Sequence, residues 1–277
     1  MAEGECAVDR PKWVSQDIDL ERPSVARVYD YLLGGAHNFA ADRAVANHAL
    51  EAMPSVRQVA RTNRALLRRM VRHLLDLGVR QFLDLGSGIP AAGNVHEIAH
   101  RVDPDAKVVY VDVDPVAAAH GRTILADVPN AITLQADVRD PKTVLESAEV
   151  RELLDFERPI AVLMVAVLHF VPDSDDPCGI IADYLDPLVP GSYLGISHSG
   201  FEDGDLDDAA AEATQRYSEQ VTPLTYRNQA ELRSLFGDLE IVDPGVVRMP
   251  QWKPESPDDV DESAEHFPGF AGLGRKH

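Results

Sequence analysis

The chain has 277 residues, with 26 Lys and Arg against 46 Asp and Glu and a formal net charge of −20. Its length suits one large α/β domain, and 45 % hydrophobic with 26 % charged residues is globular rather than disordered composition. The acidity disfavours nucleic acid as a partner, because phosphates are bound mainly through Lys and Arg, and no apolar run approaches the roughly 20 residues that span a bilayer. The stretch Met1–Trp13 (MAEGECAVDRPKW) has no basic n-region or apolar h-region, so no secretory leader is expected. Cys6 and Cys178 cannot make a disulfide framework and have no further cysteine at zinc spacing. The expectation is a cytoplasmic protein with no metal site and no membrane partner; composition leaves the oligomeric state open.

In chain order, Ser24–Leu33 (SVARVYDYLL) reads as a helix with Ser24 as N-cap, stopped by Gly34-Gly35. A second helix is expected over Ala40–Glu51 and a third from Ser55 to about Asp76. The third carries apolar residues on one face and Arg57, Arg61, Arg64, Arg68 and Arg72 on the other. After Gly78 the pattern changes to short apolar runs suited to buried strands: Gln81–Leu85, Lys107–Val111, Ala131–Gln135, Ile160–Val165 and Ser192–Ser197. Helical stretches are expected between them, at about 93–102, 115–126, 141–154 and 177–188. A later helix, about 228–236, precedes the run Leu239–Val247. The acidic stretch 202–220 has helical character, and 250–268, rich in proline, reads as an extended surface segment. Strands alternating with helices predict a Rossmann-like, doubly wound and mostly parallel sheet, with an antiparallel strand near the C-terminus. The expected organisation is a tail and helical lid region over 1–78 and the sheet domain over 79–277, forming one structural unit.

Charge is uneven along this plan. Residues 201–265 contain 17 Asp and Glu against 5 Lys and Arg, whereas Arg57–Arg72 has six Arg and no acid. The arginine face is expected to pair with the acidic C-terminal third, with Arg64 placed to hold a ligand carboxylate in a bidentate pair.

The most informative segment is Phe82–Pro90 (FLDLGSGIP). A strand runs into Gly86-Ser87-Gly88, which allows a tight turn and close approach by a ligand. Asp84 stands two residues before Gly86, where a nicotinamide fingerprint usually has an apolar residue. The second strand run ends at Asp112, placed to accept ribose hydroxyls, and the third is followed by Asp137 and Val138. Each acid also suits a structural role as a turn or cap residue. Together, three acids at the carboxyl ends of consecutive strands would repel a pyrophosphate and welcome a cationic amino-acid end.

The segments DLGSG, VDVDP and ADV resemble the cofactor-binding motifs of class I S-adenosylmethionine (SAM)-dependent methyltransferases, and the resemblance spans about residues 80–200. It implies that Asp84, Gly86, Ser87 and Gly88 face the methionine part of SAM, that Asp112 and Val113 face the ribose and adenine, and that Asp137 and Val138 face the adenine. Met164–Asp173 (MVAVLHFVPD) is similar to the fourth-strand segment of small-molecule methyltransferases, with Ala166 beside the methionine part and His169 a candidate for orienting the acceptor or taking its proton. His198, in ISHSG, is a second candidate base; both histidines also suit structural roles. With YDYLLGGAHNFAAD (29–42), Asn63-Arg64, PAAGNVHEIAH and VTPLTYRNQAEL, most of the chain resembles a largely actinobacterial family of SAM-dependent methyltransferases once filed as a domain of unknown function. Residues 24–64 are accordingly expected to form a lid over SAM, with Tyr31, Gly34, His37, Asn38 and Arg64 facing in. The implied reaction moves a methyl group to an unidentified small-molecule acceptor, releasing S-adenosylhomocysteine (SAH). Two rival readings are a SAM-binding sensor without transferase activity and an NAD(P)-dependent oxidoreductase, the latter disfavoured by Asp84 and by the lack of a Tyr-xxx-Lys pair.

Overall fold

Short apolar runs separated by amphipathic stretches bury both faces of a sheet when the strands lie parallel between layers of helices. The computed structural model describes residues 19–90, 93–202, 215, 217–256, 260 and 262–277. In it the five runs form β1 (Gln81–Leu85), β2 (Lys107–Asp112), β3 (Ala131–Gln135), β4 (Ala161–Val165) and β5 (Tyr193–His198). They are mutually parallel in the order β3-β2-β1-β4-β5. Chain order reverses between β1 and β4, the switch point at which a doubly wound sheet opens a crevice at its carboxyl edge.

Between the strands lie α4 (Val95–Val102), α5 (Pro115–Ile124), α6 (Pro141–Leu145), α7 (Ala148–Leu153) and α8 (Pro177–Leu185). The single helix expected over 141–154 is thus two, because the Ser147 hydroxyl restarts the chain by accepting the Val150 N–H. Ahead of the sheet come α1 (Val25–Leu33), α2 (Ala40–Ala52) and α3 (Val56–Asp76). Helix α3 sinks Leu66, Met70, Val71 and Leu74 into the core beneath β1 and β4. On its other face Arg68 and Arg72 reach Glu255 at 3.6 and 2.8 Å, the pairing with the acidic C-terminal third that charge suggested. Residues 203–214 of the acidic stretch lie outside the described residues.

The C-terminal part holds the expected antiparallel strand on an otherwise parallel sheet, but in more pieces than the apolar run suggested. The run Leu239–Val247 divides into β6 (Glu240–Ile241) and β7 (Val247–Arg248), which follow the short helix α9 (Gln229–Ser234). Both pair antiparallel with β8 (Phe270–Arg275), which lies antiparallel beside β5. Glycines hide β8 from a propensity reading, yet packing requires them: a Cβ at Gly272 would stand 2.9 Å from Val246 Cγ2 and 3.0 Å from Phe236 Cζ. The described residues of 250–268 are not a surface strap. Trp252 is fully buried in the core shared with α3, and Arg69 of α3 donates to the carbonyls of Met249 and Trp252 at 2.8 and 3.0 Å. Among the described residues no helix is long and apolar enough to cross a membrane.

Candidate active site

A cavity of about 740 Å³ lies over the carboxyl ends of the parallel strands and is roofed by α1, α2 and α3. Its floor begins at the glycine turn. Gly86 and Gly88 adopt φ of +69° and +67°, in the left-handed region that glycine enters without penalty. The N–H groups of Gly86 and Ser87 donate to the Val111 carbonyl at 2.8 and 3.1 Å, folding the turn back over β2. A Cβ on Gly86 would meet Val167 Cγ2 at 2.4 Å, so the turn and the loop after β4 close on each other only because this residue is glycine.

The three acids differ in what they have left to offer. Asp84 is 5 % exposed, lines the cavity, and receives no hydrogen bond from any described residue. Burial pushes its carboxyl up to about 7, with Asp112 adding to the rise and Arg64 opposing it. Asp112 accepts the Gly88 N–H at 2.7 Å and the Asp114 N–H at 2.9 Å. Burial raises it to about 6 against the pull of those two bonds. Asp137 lines the cavity but is taken up by Arg139, whose Nε and Nη2 donate at 3.0 and 2.6 Å and hold the carboxyl below its usual range. Beside Asp112, Val113 stands 62 % exposed on the cavity wall, and Ala136 and Val138 continue that apolar patch.

Arg64 also lines the cavity, with Nη2 on the Asn94 side-chain oxygen at 3.0 Å. Across the switch point, Ala166 holds a φ of +58°, a strained value for a residue with a Cβ. Its N–H donates to the carbonyl and hydroxyl oxygens of Ser197, and that hydroxyl donates to Asn63 Oδ1 at 2.6 Å. Asn63 in turn donates to the Tyr29 hydroxyl, which donates to the Ala60 carbonyl.

The two histidines separate. His169 lines the cavity, and its Nδ1 accepts the Ser199 N–H at 3.4 Å, so the neutral ring carries its proton on Nε2. Burial, with His198 and Arg227 nearby, keeps it well below the usual histidine range. His198 is fully buried and does not line the cavity. Its Nδ1 lies 2.6 Å from the Ser199 carbonyl, which can only accept, and its Nε2 accepts from Arg227 at 2.8 Å. Both ring nitrogens are therefore engaged, which corrects the expectation of a base there.

Four of the lid residues also differ from expectation, because a helix shows one face inward. Val25, Val28, Tyr29 and Leu32, at helical spacing, face the cavity. Tyr31 falls on the other side of α1 and donates to Asn47 Oδ1 at 3.1 Å. Gly34 ends α1 in the left-handed region at φ +87°. The His37 N–H and the Asn38 side chain both donate to Asp30 Oδ2 at 2.9 Å, and the His37 ring lies 3.8 Å from that of His120. None of these four lines the cavity. The residues unforeseen from sequence are Tyr29, Asn63 and two buried arginines. Arg27 lies 3.3 Å from Asp42 and 3.8 Å from Asp114, while the Ser24 hydroxyl bonds Asp114 instead of capping α1. Arg227 donates to the carbonyls of Leu168 and Val171 on either side of His169 and to Asp173. The inward spacing of α1 was readable; the burial of single arginines has no local signal.

One end of the cavity thus presents an acid without a hydrogen-bond partner among the described residues and a guanidinium beside a glycine turn, which fits the ammonium and carboxylate of an amino acid. The next strand presents an acid with an exposed apolar patch, which fits a diol attached to a flat base. A family described as S-adenosyl methyltransferase matches residues 11–277. The crystal structure of a protein from Thermobifida fusca YX is similar at 43 % identity over 93 % of this chain and 96 % of that one, with a TM-score of 0.87. A DUF574 family protein from Streptomyces avermitilis MA-4680 is similar at 35 % identity over 94 % and 99 %, also with a TM-score of 0.87. No curated protein matches the chain.

Proposed function

Because the chain belongs to the S-adenosyl methyltransferase family, we propose that it transfers the methyl group of SAM to a small-molecule acceptor within this cavity. The observation that carries the assignment of the site is Asp84, a buried acid that borders the cavity and accepts no hydrogen bond from any described residue. Such a group is costly to ionise unless a ligand cation meets it.

In this reading Asp84 and Arg64 hold the ammonium and carboxylate of the methionine part. Gly86, Ser87 and Gly88 bring the chain close to it, and Ala166 packs on the same part. Asp112 accepts the ribose hydroxyls, while Val113 and Val138 cover the adenine. Asp137 shapes that end through its pair with Arg139. When bound, SAM would supply an electrophilic methyl group: the acceptor's lone pair would form the new bond to carbon as the carbon–sulfur pair returned to sulfur, and a proton carried by the acceptor atom would pass to solvent. The protein's own contribution is then alignment and exclusion of water by the α1–α3 roof, and alignment alone is worth up to about 7–11 kcal/mol. His169, with its proton on Nε2, orients the acceptor by donating to it.

Titration calorimetry with SAH and with NAD⁺ tests the site: SAH is expected to bind and NAD⁺ not to. Transfer of tritium from methyl-labelled SAM into a small-molecule extract tests the reaction. Binding of NAD⁺ without SAH would overturn the cofactor assignment, and SAH binding with no labelled product would reduce the protein to a SAM-binding one.

A further inference from the structure

Charge is divided across the cavity, and the division bears on which acceptor it takes. The described residues on the β1–β3 half include Asp84, Asp112, Asp137 and Arg139, with Arg27 and Arg64 above them. The half over the ends of β4 and β5 is built differently. Its wall is formed by Phe170, Phe201, Tyr217, Val221, Leu224 and, from the start of α3, Val56. Val56, Tyr217 and Val221 pack into one cluster with the inner face of α1, and the Phe201 ring meets Tyr226 edge-to-face at 5.0 Å.

No described lining residue on this half carries a formal charge. The titratable groups facing it are His169, Tyr217 and Tyr226. His169 is neutral for the reasons above, and burial pushes the Tyr217 hydroxyl well above the usual phenol range. Among the described lining residues the polar side chains of this half are His169, Ser199, Thr222 and the phenols Tyr217 and Tyr226, all neutral. A charged acceptor lodged here would lose its hydration and find no counter-charge among the described lining residues, since nearby Arg227 is taken up by His198, Asp173 and two carbonyls. An apolar body would instead gain from leaving water, and a flat one would find aromatic faces and edges to pack on.

Resting on the methyl-transfer reading, we propose that the acceptor is an uncharged, ring-bearing apolar molecule whose polar atom meets His169 Nε2–H. Among the described residues this wall offers nothing to hold the charge of an amino acid, a nucleotide or a sugar phosphate.

Three probes of one shape and different charge test this: 2-naphthol, 2-naphthoate and the 2-naphthylmethylammonium cation. Each is titrated by calorimetry into protein saturated with SAH, whose own binding is measured first. The neutral naphthol is expected to bind at least tenfold more tightly than either ion. Leu224→Arg is expected to lose the naphthol and gain the naphthoate while keeping its affinity for SAH. Binding of either ion within tenfold of the naphthol, or binding of none of the three to SAH-loaded protein, overturns the inference. Failure of SAH itself to bind instead overturns the transferase reading, so the two failures are distinguishable.

Discussion

Replacing Asp84 by Asn should strengthen the ligand-free fold and weaken the ligand, because the same burial governs both. The folded carboxyl sits at about 7 against an ordinary value of 3.8. A carboxyl raised in the folded state binds its proton more tightly there than in the unfolded chain. Its contribution is therefore fully present below about pH 4, falls as pH rises, and is gone above about pH 7. The rise from 3.8 to about 7, at about 1.36 kcal/mol per tenfold change in proton affinity, sets the loss at about 4 kcal/mol. Asn carries no such titration, so the ligand-free Asp84→Asn protein should melt roughly 5–10 °C higher than wild type at pH 8 and near it at pH 4.5. Affinity for SAH should move the other way. Loss of a charge-assisted bond to the ammonium costs about 2 kcal/mol, or about thirtyfold. In the wild type, SAH binding should be about twelvefold weaker at pH 6 than at pH 7.5, about sixfold from protonation of Asp84 and about twofold from that of Asp112. The variant should keep only about the twofold slope left by Asp112, whose carboxyl lies at about 6. Calorimetry and thermal melts across that range measure both. A lower melting temperature at pH 8, or an unchanged SAH affinity, refutes the reasoning.

Other substitutions separate geometry from charge. Gly86→Ala should abolish SAH binding and lower stability, because its methyl meets Val167 as well as the left-handed strain. Gly88→Ala, with open space around a Cβ, should cost only the strain of about 1–2 kcal/mol in thermal melts. Arg227→Met leaves the Leu168 and Val171 carbonyls without their donor and should lose about 2–4 kcal/mol in urea denaturation. Asp173→Ala, at the other end of the pair with a side chain 79 % exposed, should lose less than about 1 kcal/mol. His169→Ala should weaken 2-naphthol binding to SAH-loaded protein and leave the SAH affinity itself within about twofold, as a group outside the cofactor half would.

The sheet was legible because its strands are buried on both faces. Val, Ile and Leu runs such as Val108–Val111 have no other stable placement in a chain of this composition, and the acids Asp112 and Asp137 show as breaks where each run leaves the core. The lid was legible only as helices. The conspicuous Tyr31–Asn38 segment stands out by its glycines and polar residues, but those ends serve the α1–α2 turn around Asp30. The inward face is the plain apolar spacing of Val25, Val28, Tyr29 and Leu32. Strand β8 and Trp252 were hidden for the opposite reason, since glycine and proline around them suppress local propensity and long-range packing decides. Buried Arg227 resembles any surface arginine until the carbonyls it serves are known.

Lid and ribose site are not independent pieces. Asp112, the acid at the end of β2, accepts the Asp114 N–H, and Asp114 caps α5 by accepting the Val116 and Ala117 N–H groups. The same Asp114 carboxylate receives the Ser24 hydroxyl and faces Arg27 of α1, whose Nε also lies against Asp42 of α2. Arg27 further donates to the carbonyls of Asp19 and Arg22, drawing the chain ahead of α1 over the cavity wall. Two acids and one arginine buried together are stable only as a set, since removing either charge strands the others away from water. The roof is thus tied by charge at the turn that carries Asp112, while among the described residues its other end is held by apolar packing on Val56, Tyr217 and Val221 and by neutral hydrogen bonds of the Tyr29 hydroxyl with Ala60 and Asn63. A roof bound so unequally would yield first over the apolar half, the half that a neutral acceptor would enter.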